Sequence, residues 1–163
     1  MTQPNLKVFL KDMNAKLPAY AHAGDSGLDL ATPVPLRLTP FQRVKVDINV
    51  HVQLPPGHEA QVRGRSGLTT KGIVTCGGLG TVDNGFIGNI GVTLYWMPNL
   101  YLRGDGALAM MDELHTEMLF DAGDRIAQLV IAPVASVAVE QVHWLSDLSE
   151  TERGESGFGS TGR

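Results

Sequence analysis

Cysteine is nearly missing from this chain. Cys76 stands alone, so no internal disulfide can form and no metal cage of the C-x-x-C kind can be built. A single thiol suits a reducing compartment, and cytoplasmic residence is the expectation. Long apolar runs are missing too. Residues 1–14 lack the continuous apolar core of a signal peptide, and the longest apolar stretch, 129–139, is interrupted by Pro133 and too short to span a bilayer, so no membrane role is expected. Positive charge is in deficit: thirteen Lys and Arg against seventeen Asp and Glu leave a net charge of −4. That excludes the global basic field that holds duplex nucleic acid and confines any anion site to a local cluster.

What is present points to turns and strands. The length of 163 residues, 43% of them apolar, suits a single domain over 1–163. Nineteen glycines are roughly 12% of the chain against an average of about 7%, and with nine prolines they imply many tight turns. Residues 43–54 alternate strictly, with Val44, Val46, Ile48, Val50, Val52 and Leu54 on one face of a half-buried strand. The alternation recurs in Val34, Leu36, Leu38 and in Ile90, Val92, Leu94, Trp96, while residues 129–131 form a solid apolar run suited to burial on both faces. No β-helix-β rhythm is present. The fold class expected is all-β, an antiparallel sandwich or jelly-roll-like barrel.

Residues 97–122 depart from this pattern. Within them, 107–119 are rich in helix formers and place Met110, Leu114 and Met118 at i, i+4, i+8, which suits an amphipathic helix, with a β-hairpin as the alternative. Its apolar stripe either packs on the protein's own core or faces a protein partner.

Several short matches carry no chemistry. Gly24-Asp25-Ser26-Gly27 has the letters of a serine-protease nucleophile loop, but Leu28-Asp29 follows and nothing indicates a paired His and Asp. Residues 157–162 satisfy G-x-G-x-x-G, yet only Arg163 remains where a dinucleotide fingerprint must open a helix. His115-Thr116-Glu117 fits the H-x-E of zinc deaminases, whose second motif needs two cysteines.

Five other segments are more specific because of their order. Residues 23–30 place Asp29 between two leucines, as a turn residue or a ligand to metal-bound water. Residues 64–73 offer Arg65, Ser66 and backbone N–H groups around Gly67 near a short helical turn, which are phosphate ligands. Residues 80–90 carry Asp83 beside Asn84-Gly85, a signal for a tight hairpin turn between two strands. Residues 123–131, Gly-Asp-Arg-Ile-Ala-Gln-Leu-Val-Ile, feed a buried strand with Gln128 as a polar handle. Residues 153–162, Arg-Gly-Glu-Ser-Gly-Phe-Gly-Ser-Thr-Gly, can form an anion-binding nest, as a lid that orders on ligand or as a frayed end.

Together, in this order, the five segments resemble those of the trimeric dUTPase family, with 97–122 as an insertion of a kind that occurs in some phage members. The resemblance implies a jelly-roll-like barrel, a homotrimer with shared active sites, and hydrolysis of dUTP to dUMP and pyrophosphate, which limits uracil in DNA and supplies dUMP for dTMP synthesis. It implies that Asp83 is the general base for water attack on the α-phosphorus, and that Val82 and Phe86 line the nucleoside pocket. It gives Arg65, Ser66, Gly67 and Gln128 to the phosphates. Asp29 would hold water in the shell of a Mg²⁺ chelated mainly by the triphosphate. Residues 150–163 would form a flexible lid in which Arg153 grips the γ-phosphate, Phe158 stacks on uracil, and Gly159, Ser160 and Thr161 wrap the phosphates. If phage-encoded, the protein would work in the host cytoplasm, and a partner-binding role for 97–122 would be a second function.

The chain departs from the family pattern at three places. Phe86 replaces the usual tyrosine and lacks a phenol to anchor the hairpin, Gly77 stands where many members carry asparagine, and Gly64 replaces a proline. A dCTP deaminase shares the fold but needs a glutamate where this chain has Thr93, and it lacks the glycine-rich tail.

Overall fold

A computed structural model describes residues 4–76, 79–98, 100–102, 104–106, 108–110, 117–152 and 154–155. In chain order the strands are β1 (Lys7–Leu10), β2 (Gly27–Ala31), β3 (Leu36–Leu38), β4 (Arg43–Gln53) and β5 (His58–Arg63). A four-residue helix, α1 (Ser66–Thr69), separates these from β6 (Ile73–Thr75), β7 (Gly80–Val82) and β8 (Asn89–Trp96). Then come β9 (Leu100–Leu102), β10 (Leu108–Met110), β11 (Met118–Phe120) and β12 (Arg125–Pro133). All described pairings are antiparallel.

Two four-stranded sheets, β1-β4-β8-β6 and β2-β12-β5-β7, face one another across a single apolar core. This is the jelly-roll-like architecture, and the period-2 rule explains its packing. Val46, Ile48, Val50 and Val52 of β4 and Ile90, Val92, Leu94 and Trp96 of β8 point inward from one sheet, against Leu28, Leu30, Ala60, Val62, Ala127 and Leu129 of the other. Burying each of the larger side chains contributes about 1.5–3 kcal/mol.

Three expectations are corrected. The alternation from Val34 does not start a strand: β3 opens at Leu36 and Val34 is exposed, because Pro35 has no N–H to give a ladder. The apolar run in β12 is fully buried only at Leu129: Val130 lies on the outward face of the sheet and is partly buried, and Ile131 packs against the core but stays partly accessible. The amphipathic helix expected over 107–119 is not what its described residues form. Leu108, Ala109 and Met110 pair with Leu102, Tyr101 and Leu100, and Met118–Phe120 pairs with β3. Strand pairing outweighs local helix propensity here, which is a weak prior. Residues 111–116, including Leu114, lie outside the described residues. The alternative kept open for this segment, a hairpin, agrees with the β9–β10 pairing.

At Gly72 the backbone has φ +77°, and a Cβ there would sit 2.0 Å from the Met97 carbonyl oxygen. Only glycine fits. Through this contact, and through Trp96 Nε1 donating to Lys71 O at 3.1 Å, the end of β8 holds the turn that follows α1. Among the described residues no helix is long and apolar enough to cross a membrane.

Candidate active site

Register across three strands builds the first half of the site. Gln128 on β12 lies opposite Asp29 on β2 and opposite Arg63 on β5. Because Leu28 and Leu30 point into the core, Asp29 must point out of it. Its carboxylate is only 19% exposed and is held by two guanidinium groups: Arg65 Nε at 3.2 Å from Oδ1 and Arg125 Nη1 at 3.0 Å from Oδ2. Arg65 Nη1 also donates to Arg125 O at 3.0 Å. The three residues therefore brace one another.

Arg65 is also the N-cap of α1, where Leu68 N–H and Thr69 N–H are the first to donate back, both to Arg65 O. The N–H groups of Ser66 and Gly67 stand ahead of that ladder and have no acceptor within the helix. Among the described residues nothing lies within 4 Å of where a Gly67 Cβ would be, which leaves room there for a ligand. Gln128 Nε2 donates to Gly64 O at 3.3 Å, and a Cβ on Gly27 would come within 2.3 Å of Gln128 Oε1. Gly27 thus makes the room that Gln128 occupies. Asp29, Arg65, Ser66, Gly67 and Gln128 line one cavity of about 260 Å³, together with Asp25 and Ser26. Guanidinium, hydroxyl and N–H donors converging on one space make an oxyanion receptor.

The second half stands apart. Val82, Asp83 and Phe86 line a cavity of about 200 Å³ with Val62, Gly80, Thr81, Asn89, Ile90 and Gly91. The Phe86 ring folds back on Gly88, where a Cβ would sit 2.5 Å from Cζ, and stays 43% exposed at the pocket mouth. The expected hairpin is corrected. β7 pairs with β5 and β8 with β4 and β6, so residues 83–88 cross between sheets rather than joining paired strands. Phe86 N–H does close a turn on Asp83 O at 3.0 Å. Neither Asn84 nor Gly85 has positive φ, so this is not the mirror-image turn that favours Asn-Gly in hairpins.

The two cavities share no lining residue. Val82 is level with Ala60 on β5, so Asp83 follows at the level of Glu59, whereas Arg65 lies two residues past the opposite end, Arg63. Those six residue steps span roughly 20 Å of extended chain at about 3.3 Å each. Asp83 and Arg65 therefore stand beyond opposite ends of β5 within one copy.

Arg125, which sequence reasoning passed over, belongs to the first cluster. Its signal was its place in Gly-Asp-Arg beside the turn into β12, but only the contact of its Nη1 with Asp29 Oδ2 across the β12–β2 pair shows that it reaches Asp29. Arg153, Phe158, Gly159, Ser160 and Thr161 lie outside the described residues, as does Gly77. Among the described residues no three His, Cys, Asp or Glu side chains converge on a metal position.

A family model for dUTPase matches residues 13–99 and 103–162. The deoxyuridine 5′-triphosphate nucleotidohydrolase of Clostridium kluyveri is 39% identical over 160 residues, covering 96% of this chain and 99% of that protein. Its counterpart in Gloeothece citriformis is 41% identical over 158 residues, covering 96% of each. Among solved structures, the dUTPase of Staphylococcus bacteriophage 80alpha with dUPNHPP superposes with a TM-score of 0.78 at 32% identity, covering 98% of this chain and 99% of that one. The dUTPase from phage phi11 of S. aureus gives 0.69 at 25% identity over 88% and 99%.

Proposed function

This chain belongs to the dUTPase family and is a dUTP diphosphatase, and from that premise we propose that Asp83 is its general base and that each active site draws on more than one copy. The observation that carries this is that the Asp83 pocket and the Asp29, Arg65, Gln128 cavity share no described lining residue, Asp83 being level with Glu59, four residues before Arg63 opposite Gln128 and six before Arg65, or roughly 13–20 Å of extended chain. In-line attack needs reacting atoms about 3–3.5 Å apart. A second copy must therefore bring its corner to the first copy's Asp83.

In this reading the nucleoside sits against Val82 and Phe86, while Arg65, Ser66, Gly67 and Gln128 of a neighbouring copy hold the phosphates. A water gives its proton to the Asp83 carboxylate and its oxygen forms a bond to the α-phosphorus. The bond from that phosphorus to the α–β bridging oxygen breaks, pyrophosphate departs and dUMP remains. Positioned donors stabilise the charge that builds on the departing oxygens.

A divalent cation fits this donor set only if it rides on the substrate. Both Asp29 oxygens already accept from arginines, which leaves the carboxylate able to hold a cation's water but poorly placed to ligate it directly. When bound to the triphosphate, Mg²⁺ supplies charge neutralisation.

Assembly is a homotrimer in this proposal, in keeping with the usual state of the family. Residues 134–148 support association: Val139 is 94% exposed and Trp144 73% in one copy, more apolar surface than an isolated chain tolerates well. Residues 150–163 act as the lid, with Arg153 on the γ-phosphate, Phe158 on the base, and Gly159, Ser160 and Thr161 around the phosphates. Ending the chain at Glu152 leaves a folded protein with turnover lowered at least tenfold, the scale set by losing one base-stacking contact. Undiminished turnover would sink the lid.

The deciding assay is pyrophosphate release from dUTP, dCTP, dTTP and UTP, with and without Mg²⁺. Release from dUTP alone is expected, and rapid release from UTP would show that Phe86 does not exclude a ribose hydroxyl. A second reading concerns 97–122, whose β9 and β10 pair only with each other among the described residues. Such an appendage suits a protein partner, and deleting 97–122 tests it: catalysis survives and a partner is lost, whereas loss of the trimer would make the segment structural.

A further inference from the structure

Residues 83–88 have no sheet partner among the described residues, yet they are pinned on both flanks by side chains. On one flank Asn84 Nδ2 donates to Pro55 O at 2.7 Å and to His58 O at 3.1 Å, reaching 29 and 26 residues back along the chain to the turn between β4 and β5. On the other, His51 Nδ1 meets Ile87 O at 2.9 Å. A carbonyl only accepts, so Nδ1 carries the proton there.

We propose that Asn84 is the positioning residue of the Asp83 carboxylate: its side-chain amide spans Pro55 O and His58 O and so docks the 83–88 loop on the β4–β5 turn. This rests on the reading of Asp83 as general base. Three observations support it. First, both amide hydrogens are used, because two carbonyl oxygens face the same Nδ2, and no other side chain this short offers two donors on one atom. Second, turn chemistry does not account for an asparagine here, since neither Asn84 nor Gly85 takes positive φ. Third, Phe86 has no hydroxyl and its ring lies against Gly88, so a polar tether has to come from elsewhere in the loop.

Asn84 is covalently next to the base, its Cα about 3.8 Å from that of Asp83. Slack in the tether is therefore slack in the carboxylate, and a misplacement of about 1 Å can cost about 100-fold in rate. Phosphate binding should feel this less, because the phosphate donors sit in the other cavity.

The test compares Asn84→Ala, Asn84→Asp and Asp83→Asn in the full chain, by steady-state kinetics with dUTP and Mg²⁺ and by thermal unfolding. Asn84→Asp keeps shape and turn preference but removes both donors and sets a carboxylate against two carbonyls. Both Asn84 variants are expected to lose at least tenfold in kcat, with KM within about threefold of the parent and a melting temperature within a few degrees. Should Asn84→Ala fail to fold, Asn84→Ser takes its place under the same criteria. Parental kcat in the Asn84 variants, or losses in kcat that merely follow losses in folded protein, would overturn the proposal. A fully active Asp83→Asn is a separate failure with its own signature: it removes the base itself, whatever Asn84 does.

Discussion

The corner around Asp29 and the loop around Asp83 are built by different means. In the corner, three adjacent strands bring Asp29, Gln128 and the approach to Arg65 level with one another, and the side chains then cross-link: two arginines on one carboxylate, one arginine on the other's carbonyl, Gln128 on Gly64 O. The loop has no ladder of its own and hangs between sheets on Asn84 and His51. The difference fits the chemistry proposed for each. Anion recognition needs several donors fixed relative to one another, which register supplies. A base needs one atom aimed at one water, and a few side-chain tethers can do that.

The largest effect expected from this contrast is at Asp83. Asp83→Asn should lower kcat by about 10²- to 10⁴-fold, the usual cost of losing a positioned base, with KM for dUTP little changed. An unaltered kcat would move the chemistry to the corner. Next comes complementation. Asp83→Asn and Arg65→Ala, each nearly inactive alone, should recover activity well above either parent when co-refolded, because mixed trimers contain sites with an intact base from one copy and an intact arginine from another. No gain on mixing would place the whole site in one copy. A smaller effect, on stability, is expected from Asp29→Ala. It leaves two guanidinium groups facing each other without their shared acceptor and should cost about 1–3 kcal/mol by denaturant unfolding. A loss under half a kcal/mol would show that the corner is not cross-braced as described. Smallest is Gly85→Ala. With open space around the Cβ position and no positive φ, it should change stability by less than about 0.5 kcal/mol. A marked loss would mean that the loop does rely on glycine's freedom.

Much of the corner was readable in advance. Asp29, Arg65, Ser66, Gly67 and Gln128 could each be picked out as polar groups in glycine-rich settings beside strands, and the structure gathers all five around one cavity. Arg125 was not, because its reach to Asp29 is a contact across the β12–β2 pair that no local pattern announces. Asn84-Gly85 gave the opposite error. The pair has the composition of a hairpin turn, but its asparagine serves carbonyls 26 and 29 residues away. A dipeptide's letters report what it can do locally and are silent about a distant acceptor.

The division follows from the range of the forces involved. Side-chain alternation, turn composition and the supply of charge act over a few residues, so the all-β class, the inward faces of β4 and β8 and the chemical types in the site could be read along the chain. Which strand lies beside which depends on burying those faces against partners far away in sequence. That burial joined β7 to β5 rather than to β8, brought Met118–Phe120 to β3 in place of a helix, and set Asp83 and Arg65 at opposite ends of one strand.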